Sequence, residues 1–486
     1  MNPGKSKNPE DLGIPSERLL DFLLYLEERK LCIHNIMILR HGEIAFEAHY
    51  PPFTAHTLHR MYSVTKSFVS MAIGFLIDEG KITLQSRIAD FFPEYVSEST
   101  HSRVRQMTVR DLLLMATPYD NTTYTVNDPN WIKTFFTAEP THKSGTVFNY
   151  DTSGTVALNA LAEKITGQNL VDYLKPRLFE PLGFSGDVWC VQRPEGGAWG
   201  GSGLECSTTD LAKFGLFLLN RGQWQGKQLL SASWLAEACS PLIDNRVNNS
   251  NPEFQFGYGY QIWQTRHGFC AYGMGTQLAV CVPDKDLVLA VNGDTQSVAA
   301  GPDILLYAFW RLVYPYIENG PLPKAEKNLL ALNRKLANLE FPSVDGKTSS
   351  PEQKNISGKK FVFGDNPMKI KWAVFDFTGD TAVMKYENSS GVHEINFGLG
   401  KYTDGVFPET GYFDKQIGVP GGRGFRYRAS GAWFNDHSLT FYLYIIDSCF
   451  GTLKTNCYFE NNSLTLQMSK AAEWFLDEYN GMATGT

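Results

Sequence analysis

The chain has 486 residues, 43% of them hydrophobic and 20% charged, and a net charge of −7. This length and composition predict a globular protein with a sizeable core and two or three domains. The acidic balance and the lack of a basic stripe argue against nucleic acid as a partner, and no apolar run is long enough to span a membrane.

Cysteine and histidine patterns give no sign of a metal site. The eight cysteines are scattered without a Cys-x-x-Cys pair, and the ten histidines show no metal-ligand spacing. The first 15 residues are polar and contain no apolar signal region. We therefore expect no metal, no cofactor, free thiols and a cytoplasmic location.

The first predicted elements are a helix and a hairpin. Residues 16–30 carry leucines at helical spacing behind a serine, which predicts a capped helix. Residues 34–39 and 43–48 are strand-like runs on either side of a turn that contains Gly42. This arrangement predicts an antiparallel hairpin.

The stretch 58–80 carries the strongest chemical signal. Ser63 and Lys66 open an apolar run too dense for one helical stripe, so we predict a buried helix that ends at Gly80. Residues three apart share a helix face, which places Lys66 beside Ser63. Burial disfavours a charged lysine, so Lys66 can accept the proton of the serine hydroxyl. The helix N-terminus favours a developing oxyanion.

A Ser-x-x-Lys pattern is weak evidence by itself, because a helix cap followed by a solvated lysine explains it equally well. The chain contains a second copy at 357–360, in which Gly358 and a following strand-like run leave no buried helix. We interpret this second copy as a solvated segment without chemistry. Motifs elsewhere in the chain therefore have to show whether Ser63 is a nucleophile or only a helix cap.

Between residues 109 and 220 the pattern is mainly helical. We predict helices over 109–115, 152–166, 170–174 and 207–220, with Ser207 as the cap of the last one. The loop 198–203 precedes that helix. These segments form a helical insertion between the hairpin and the strands that follow.

From residue 256 the period changes to that of strands. We predict strands over 256–263, 270–282 and 287–292, and a closing helix over 302–316. The fold class is therefore α+β, with an antiparallel sheet built from both ends of a domain and flanked by helices. We expect this domain to cover 1–320.

The remaining residues predict a second domain. Residues 321–358 contain prolines, a charged helix over 325–337 and a polar stretch, which is typical of a linker. Residues 359–486 predict a β-rich accessory domain, a curved sheet or partial barrel, with a last helix over 470–479. Its predicted strands cover 370–377, 382–386, 392–397, 432–433, 439–446, 452–459 and 464–468.

Three further segments accompany the Ser63 motif in chain order. They are Gly145 to Thr152 before a helix, Gly201 to Leu204 before another, and Ala271 to Gly275 at a strand. With Ser63 and Lys66 they resemble the class C β-lactamase and penicillin-binding-protein superfamily of serine hydrolases. Within it, the sequence is most similar to esterase, D-aminopeptidase and 6-aminohexanoate-dimer hydrolase relatives. The resemblance covers about 16–316 and implies a β-lactamase/transpeptidase-like fold.

The resemblance also implies roles for particular residues. Ser63 would be the nucleophile of an acyl-enzyme and Lys66 its proton acceptor or electrostatic partner. Tyr150 would assist proton transfer, with its pKa lowered by the nearby Lys66 ammonium. The N–H groups of Ser63 and Met274 would form the oxyanion hole.

Two departures from the family pattern bear on the substrate. The family often has a cation in its third motif, whereas the matching triplet here is Ala271-Tyr272-Gly273. This difference lowers the expectation of β-lactamase or D,D-peptidase activity. Thr152 stands where asparagine is usual, which also points toward esters or small amides.

Other residues were assigned around the expected pocket. Gly273 and Gly275 would let the backbone approach a substrate. Trp199 would contact the substrate. Asp151 would cap the helix that follows it rather than orient Tyr150.

The sequence thus predicts a metal-independent serine hydrolase that acts on a small ester, amide or peptide. One alternative is a β-lactamase or D-aminopeptidase. Another is a penicillin-binding or sensor module that acylates without turnover. The sequence predicts no membrane partner, is compatible with a homo-oligomer, and leaves open what the C-terminal domain does.

Overall fold

The computed structural model describes residues 7–407, 425–447 and 449–486. Contacts between Cα atoms divide them into two compact units. The first includes the chain up to Thr295 and Ala300–Glu340, and the second includes Gln296–Ala299 and the chain from Phe341 onward. The predicted linker, 321–358, is shared between the two units. Independent folding of either unit stays a prediction.

The first unit combines helices with mostly short strands. Its helices are α1 (Ser16–Glu28), α2 (Val64–Asp78), α3 (Ser102–Arg105), α4 (Val109–Leu113), α5 (Trp131–Thr137), α6 (Thr152–Thr166), α7 (Leu170–Leu174), α8 (Glu180–Leu182), α9 (Thr208–Leu219), α10 (Ala232–Ala238), α11 (Gly301–Leu312) and α12 (Glu326–Leu336). Its strands are β1 (Ile33–Arg40), β2 (Glu43–His49), β3 (Leu58–Arg60), β4 (Trp189–Cys190), β5 (Leu204–Ser207), β6 (Gln223–Trp224), β7 (Lys227–Gln228), β8 (Trp263–Thr265), β9 (Gly268–Gly273), β10 (Gln277–Val282) and β11 (Leu287–Gly293).

The main sheet joins strands from both ends of this unit, as predicted. Its order is β2-β1-β11-β10-β9-β8, and neighbouring strands run antiparallel. The β1–β2 hairpin turns through His41 and Gly42, which have φ angles of 52° and 74°. Helix α9 packs on β10, β11 and β1, and α1 packs against α11 and α12. The chain therefore has the α+β architecture expected of a β-lactamase-like domain.

Helix α2 is buried on nearly all sides, as its apolar density predicted. Every residue from Val64 to Leu76 is buried. Gly74 lies beneath the Trp234 indole so closely that a Cβ atom there would come within 2.5 Å of Nε1. The chain leaves the helix through Gly80 with φ 70°. Each large apolar side chain buried in this helix contributes roughly 1.5–3 kcal/mol to the hydrophobic term of folding.

Two predicted strands near the sheet edge were wrong in their extent. Most of 256–263 is irregular, and only Trp263–Thr265 forms a strand there. Gly259 approaches the Ala238 carbonyl too closely for any side chain, and Gln261 has φ 61°, so the backbone cannot stay extended. The predicted strand 270–282 is two strands, β9 and β10. Gly275 and Thr276, with φ 76° and 74°, form the turn between them.

The second unit is a strongly curved sheet. It contains the short helix α13 (Gln353–Ile356) and the strands β12 (Lys360–Val362), β13 (Trp372–Thr378), β14 (Thr381–Asn388), β15 (Gly391–Leu399), β16 (Thr403–Phe407), β17 (Phe425–Trp433), β18 (Ser438–Ile445), β19 (Gly451–Glu460), β20 (Ser463–Ala472) and β21 (Gly481–Gly485).

The curved sheet closes almost into a barrel. The strands follow one path from β12 to β21, with β16 paired beside β17. At the two ends of the path, Val362 and Thr486 exchange backbone hydrogen bonds of 3.0 and 3.2 Å. Alternate side chains point into a packed apolar core that includes Phe375, Phe397 and Phe441. The prediction of a curved sheet or partial barrel is confirmed for the described residues.

The predicted last helix, 470–479, was wrong. Strand β20 continues to Ala472, and β21 pairs with it from Met468 opposite Gly481. Between the two strands Leu476 has a left-handed backbone, with φ 62°, which interrupts any helix. The helical pattern of this short segment is weak. Strand pairing with the rest of the sheet gives its residues more backbone hydrogen bonds than a short helix would.

The described helices do not include one with the length and apolarity needed to cross a membrane.

A buried histidine provides a test of this packing. His59 in β3 lies 4.8 Å from Phe53 and 5.3 Å from His34 between ring centroids, and its Nδ1 is 2.9 Å from Thr57 O. Burial lowers the pKa of His59 to about 4. The folded protein keeps the His59 ring neutral, whereas in the unfolded protein the ring takes up a proton near pH 6.5. Protonation therefore stabilises the unfolded state, and the stability of the fold decreases as the pH falls from 6.5 toward 4.

Lowering the pH from 7 to 4.5 should reduce the free energy of unfolding of both the wild type and His59→Gln. We expect the reduction to be about 2–3 kcal/mol larger in the wild type. Urea unfolding at the two pH values measures this difference. The exposed His56 provides the matched control, because His56→Gln should follow the wild type. An identical pH dependence in the wild type and His59→Gln would contradict the prediction.

Candidate active site

Ser63 lies at the N-terminus of α2, at the end of a tight turn that follows β3. Tyr62 has φ 46°, an uncommon conformation for a bulky residue, and Ser63 already has near-helical angles of φ −69° and ψ −9°. Helix α2 then runs into the core. The turn therefore places the Ser63 hydroxyl, which is partly exposed, at the open end of a buried helix.

Lys66 lies one helical turn beyond Ser63 and is almost completely buried, at 1% exposure. Its Nζ donates hydrogen bonds to Ser63 Oγ at 2.9 Å and to the carbonyl of Gly201 at 2.6 Å. The predicted neighbourhood of Ser63 and Lys66 is thus present. Because Lys66 is held in place by the Gly201 carbonyl, its amine is directed at the serine oxygen.

Tyr150 completes the group around the serine. Its phenol is hydrogen-bonded to the Ser63 side chain, and Lys66 Nζ lies 5.1 Å from the ring centroid. The ring stacks on Trp263 at 5.2 Å. The expectation that Lys66 lowers the pKa of Tyr150 was wrong, because burial dominates and raises that pKa above its ordinary value. Tyr150 is therefore a neutral phenol, able to give a proton.

The start of α6 holds Tyr150 in position. Asp151, which is fully buried, accepts hydrogen bonds from Ser153 N at 2.8 Å and from Thr117 Oγ1 at 2.9 Å. The carboxylate therefore caps α6, and the prediction of a capping role for Asp151 is confirmed. Because the cap fixes the residue after Tyr150, it limits where the phenol can point.

The loop that carries Gly201 packs tightly against its neighbours. A Cβ atom on Gly201 would lie 2.4 Å from Thr152 Cγ2, so Thr152 contacts this backbone directly. Trp199 is 1% exposed, and its Nε1 donates to Tyr124 Oη at 3.1 Å. The predicted contact between Trp199 and a substrate is therefore wrong in this structure. The indole is part of the core that supports the loop.

Arg60 joins the two segments that approach Lys66, and sequence reasoning missed it. This side chain is fully buried, and its guanidinium lies 4.5 Å from the Tyr62 ring and 4.6 Å from the Trp199 ring. Its Nε and Nη2 donate to Ser202 O and Oγ at 2.9 and 3.0 Å. One cation thus connects the turn before Ser63 with the residue after Gly201. The only sequence signal was a charged residue three positions before Ser63.

The β9–β10 turn lies against the backbone of Ser63. A Cβ atom on Gly273 would come within 2.2 Å of Met61 O and 3.1 Å of Ser63 N, so only glycine allows this approach. Gln277 Nε2 donates to Met274 O at 3.1 Å and to Gly293 O at 2.7 Å, which fixes the turn. Gly273 therefore lies against the Ser63 backbone, and the oxyanion role of Met274 in the turn that follows stays a prediction. The support from Gln277 was not foreseen.

Tyr272 lies in a group of aromatic side chains that extends away from Tyr150. Its ring stacks on Phe254 at 4.6 Å and lies 6.1 Å from Trp263. Tyr272 is partly exposed, whereas Phe254 and Trp263 are buried. Sequence reasoning identified Tyr272 but missed Phe254 and Trp263, because Trp263 was only the last residue of the predicted strand 256–263 and Phe254 lay outside every predicted element.

The second Ser-x-x-Lys copy has no such surroundings. Ser357 and Lys360 are exposed, and Lys360 begins strand β12. In the described part of the chain, no group of His, Cys, Asp and Glu side chains is arranged to hold a metal ion.

Known proteins share this fold. A solved structure from Bacillus anthracis, provisionally assigned as a 6-aminohexanoate-dimer hydrolase, aligns with a TM-score of 0.53 at 19% identity over 67% of this chain and 89% of that one. A penicillin-binding protein homologue from Caulobacter crescentus aligns with a TM-score of 0.50 at 15% identity over 62% and 99%. These two likenesses establish the fold.

Sequence comparison gives the family. The chain is 25% identical over 270 residues to a 6-aminohexanoate-dimer hydrolase from Paenarthrobacter ureafaciens, covering 51% of this chain and 68% of the relative. It matches the family described as Beta-lactamase over residues 35–305, which is more than half of its length. The chain therefore belongs to the Beta-lactamase family, a family of serine hydrolases.

Proposed function

We propose that this protein hydrolyses a small ester or amide through an acyl-enzyme on Ser63, with Lys66 and Tyr150 as the proton-transfer groups. One observation carries the proposal: Ser63 Oγ is hydrogen-bonded to both the buried Lys66 amine, at 2.9 Å, and the Tyr150 phenol. A hydroxyl held between two such groups has a proton acceptor and a proton donor within reach.

Acylation would begin with a neutral Lys66. Its lone pair takes the Ser63 proton while an N–H remains bonded to Gly201 O, and burial favours the neutral amine. Ser63 Oγ then bonds to the substrate carbonyl carbon. The Tyr150 phenol protonates the departing oxygen or nitrogen as its bond to carbon breaks, and Lys66 returns a proton to Tyr150.

The negative charge on the carbonyl oxygen would be stabilised by the N–H groups of Ser63 and Met274. The close approach of Gly273 to Ser63 N supports this assignment. The side-chain amide of Gln277 fixes the turn in advance, so little reorganisation is required when charge develops. Deacylation reverses the proton transfers, with water in place of the alcohol or amine.

The alternatives concern the substrate and turnover. A β-lactamase or D-aminopeptidase would use the same Ser63 chemistry, but the partly exposed Tyr272, without a cation, favours esters or small amides over substrates that carry a carboxylate. A penicillin-binding or sensor module would acylate and not turn over. The relative named as a hydrolase supports turnover.

Ser63→Ala should abolish hydrolysis of p-nitrophenyl butyrate, because the variant lacks the hydroxyl that forms the proposed acyl-enzyme. Intact-mass analysis of the wild type should show a transient butyryl adduct that is missing in the variant. Ser357→Ala, at the exposed second copy of the motif, is the matched control and should retain activity. Equal hydrolysis by Ser63→Ala and the wild type would reject the proposal, and a persistent adduct without turnover would favour the sensor alternative.

Lys66→Met and Tyr150→Phe should each slow acylation by about 10² to 10⁴-fold, since each removes a proton-transfer group. Circular dichroism and thermal unfolding should show that both variants remain folded. If Tyr150 protonates the leaving group, Tyr150→Phe should lose more rate with alkyl esters than with p-nitrophenyl esters, whose leaving group needs no proton. Lys360→Met in the second copy controls for loss of a lysine. Near-normal acylation in both site variants would contradict the assigned roles.

Arg60 is proposed as a positioning residue, because it holds Ser202 beside Gly201 and packs on Tyr62. Arg60→Met should lower kcat by about tenfold or more while KM changes little, since a misplaced Gly201 carbonyl misdirects Lys66. Arg60→Lys should restore part of kcat. Ser202→Ala, which removes one acceptor, should lower kcat less. Loss of thermal stability without any change in kcat in the folded variants would indicate a purely structural role.

A further inference from the structure

Four aromatic side chains form a continuous packed cluster that starts beside the nucleophile, which we name the aromatic wall: Tyr150, Trp263, Tyr272 and Phe254. Successive ring centroids lie 5.2 Å apart from Tyr150 to Trp263, 6.1 Å from Trp263 to Tyr272 and 4.6 Å from Tyr272 to Phe254. Trp263 is 7% exposed and Phe254 is fully buried, whereas Tyr150 and Tyr272 are partly exposed. Tyr150 and Tyr272 are thus the rings of the wall that a substrate can reach, and the buried Trp263 and Phe254 hold them in place.

The charge behind this wall is negative. Asp303, in the first turn of α11, accepts the Glu253 N–H at 2.9 Å through Oδ1, and its buried Oδ2 has no hydrogen-bond partner. The Asp303 carboxylate lies close enough to Tyr272 to help burial raise the pKa of that phenol. Glu253 next to it is paired with Arg266 at 2.8 Å. Burial raises the pKa of Asp303, and the hydrogen bond from Glu253 N–H partly offsets that rise. The ionised carboxylate places a negative charge behind Tyr272.

The position of Tyr150 decides which part of a substrate meets the wall. In the proposed reaction the Tyr150 phenol protonates the leaving group, so that group has to depart on the side of Tyr150. From Tyr150 the wall continues through Trp263 to Tyr272, and Tyr272 directly precedes Gly273 at the turn beside Ser63. The leaving alcohol or amine therefore lies along the wall.

We propose that the aromatic wall selects substrates whose leaving group is uncharged and apolar, aromatic groups above all, and rejects leaving groups that carry a carboxylate. This inference rests on the proposed function of Ser63. Ring faces carry partial negative charge and pack well against other rings and alkyl groups. A carboxylate placed against them would lose its hydration, face the electron-rich rings and be repelled by Asp303.

The test uses three butyrate esters of matched phenols, with leaving groups that differ in charge. They are 4-methylphenyl butyrate, 4-(carbamoylmethyl)phenyl butyrate and 4-(carboxymethyl)phenyl butyrate. The amide and the carboxylate have nearly the same shape, so their ratio of kcat/KM isolates the charge. We expect the wild type to prefer the methyl and carbamoyl esters over the carboxylate by about tenfold or more.

Two variants, Tyr272→Lys and Asp303→Asn, should shift this ratio toward the carboxylate ester, and a third, Tyr272→Phe, should leave it unchanged. Tyr272→Lys supplies a cation and should reduce the preference against the carboxylate about tenfold or reverse it, whereas Tyr272→Phe keeps the ring and should keep the ratio. Asp303→Asn keeps Oδ1 as the acceptor for Glu253 N–H and removes the charge. It should raise kcat/KM for the carboxylate ester relative to the carbamoyl ester. Asp303→Asn therefore provides an independent measurement of the charge effect if Tyr272→Lys does not fold.

The outcomes separate the two proposals. Hydrolysis of all three esters that survives in Ser63→Ala would reject the proposed function itself. Hydrolysis that depends on Ser63 but is as fast for the carboxylate as for the carbamoyl ester would overturn only the role of the wall. A fourth ester, 4-(aminomethyl)phenyl butyrate, tests the opposite charge. If this ammonium ester were the fastest of the four, the wall and Asp303 would form a cation site, and the inference of an apolar leaving group would be wrong.

Discussion

The site depends on one constraint, a lysine amine taken out of water and aimed at a serine. Lys66 can be buried because the Gly201 carbonyl accepts one of its hydrogen bonds at 2.6 Å while Ser63 Oγ lies 2.9 Å away. A buried amine without such partners would cost several kcal/mol. Much of the surrounding structure keeps these partners in position: Arg60 behind the Gly201 loop, the fully packed α2, and the Asp151 cap beneath Tyr150.

The burial that disfavours charge on Lys66 acts on Tyr150 as well. A phenol packed against Trp263 and Tyr258 loses more from desolvation than it gains from its hydrogen bond to Ser63, so it stays protonated. In the proposed reaction the two groups would take complementary roles, with Lys66 as the base and Tyr150 as the acid. Such a pair suits the formation and the cleavage of an acyl-enzyme in one place.

The outer part of the site takes no part in the proposed proton transfers, and we propose that it sets the substrate preference. The stacked rings of Tyr272 and Phe254, with the Asp303 carboxylate behind them, offer neither a cation nor a ring of hydrogen-bond donors. The proposed site in the first unit can therefore be divided into two layers of residues. The inner layer is set by burial and hydrogen bonding around α2, and the outer layer by aromatic packing at the β8–β9 edge.

The sequence by itself determined the elements with strong local signals. Apolar density, Gly80 and the serine predicted α2, the helical pattern over 152–166 predicted α6, and motif order predicted the Ser63, Lys66 and Tyr150 group and the fold. Tertiary structure decided the rest, because long-range contacts override local pattern. The backbone of 256–262 bends where Gly259 meets Ala238, and 470–479 became strand and turn where β20 pairs with β21. The neutral state of Tyr150, the burial of Trp199 and the contacts of Arg60 depend on neighbours distant in sequence, and no local pattern contains the burial and hydrogen bonds that those neighbours supply.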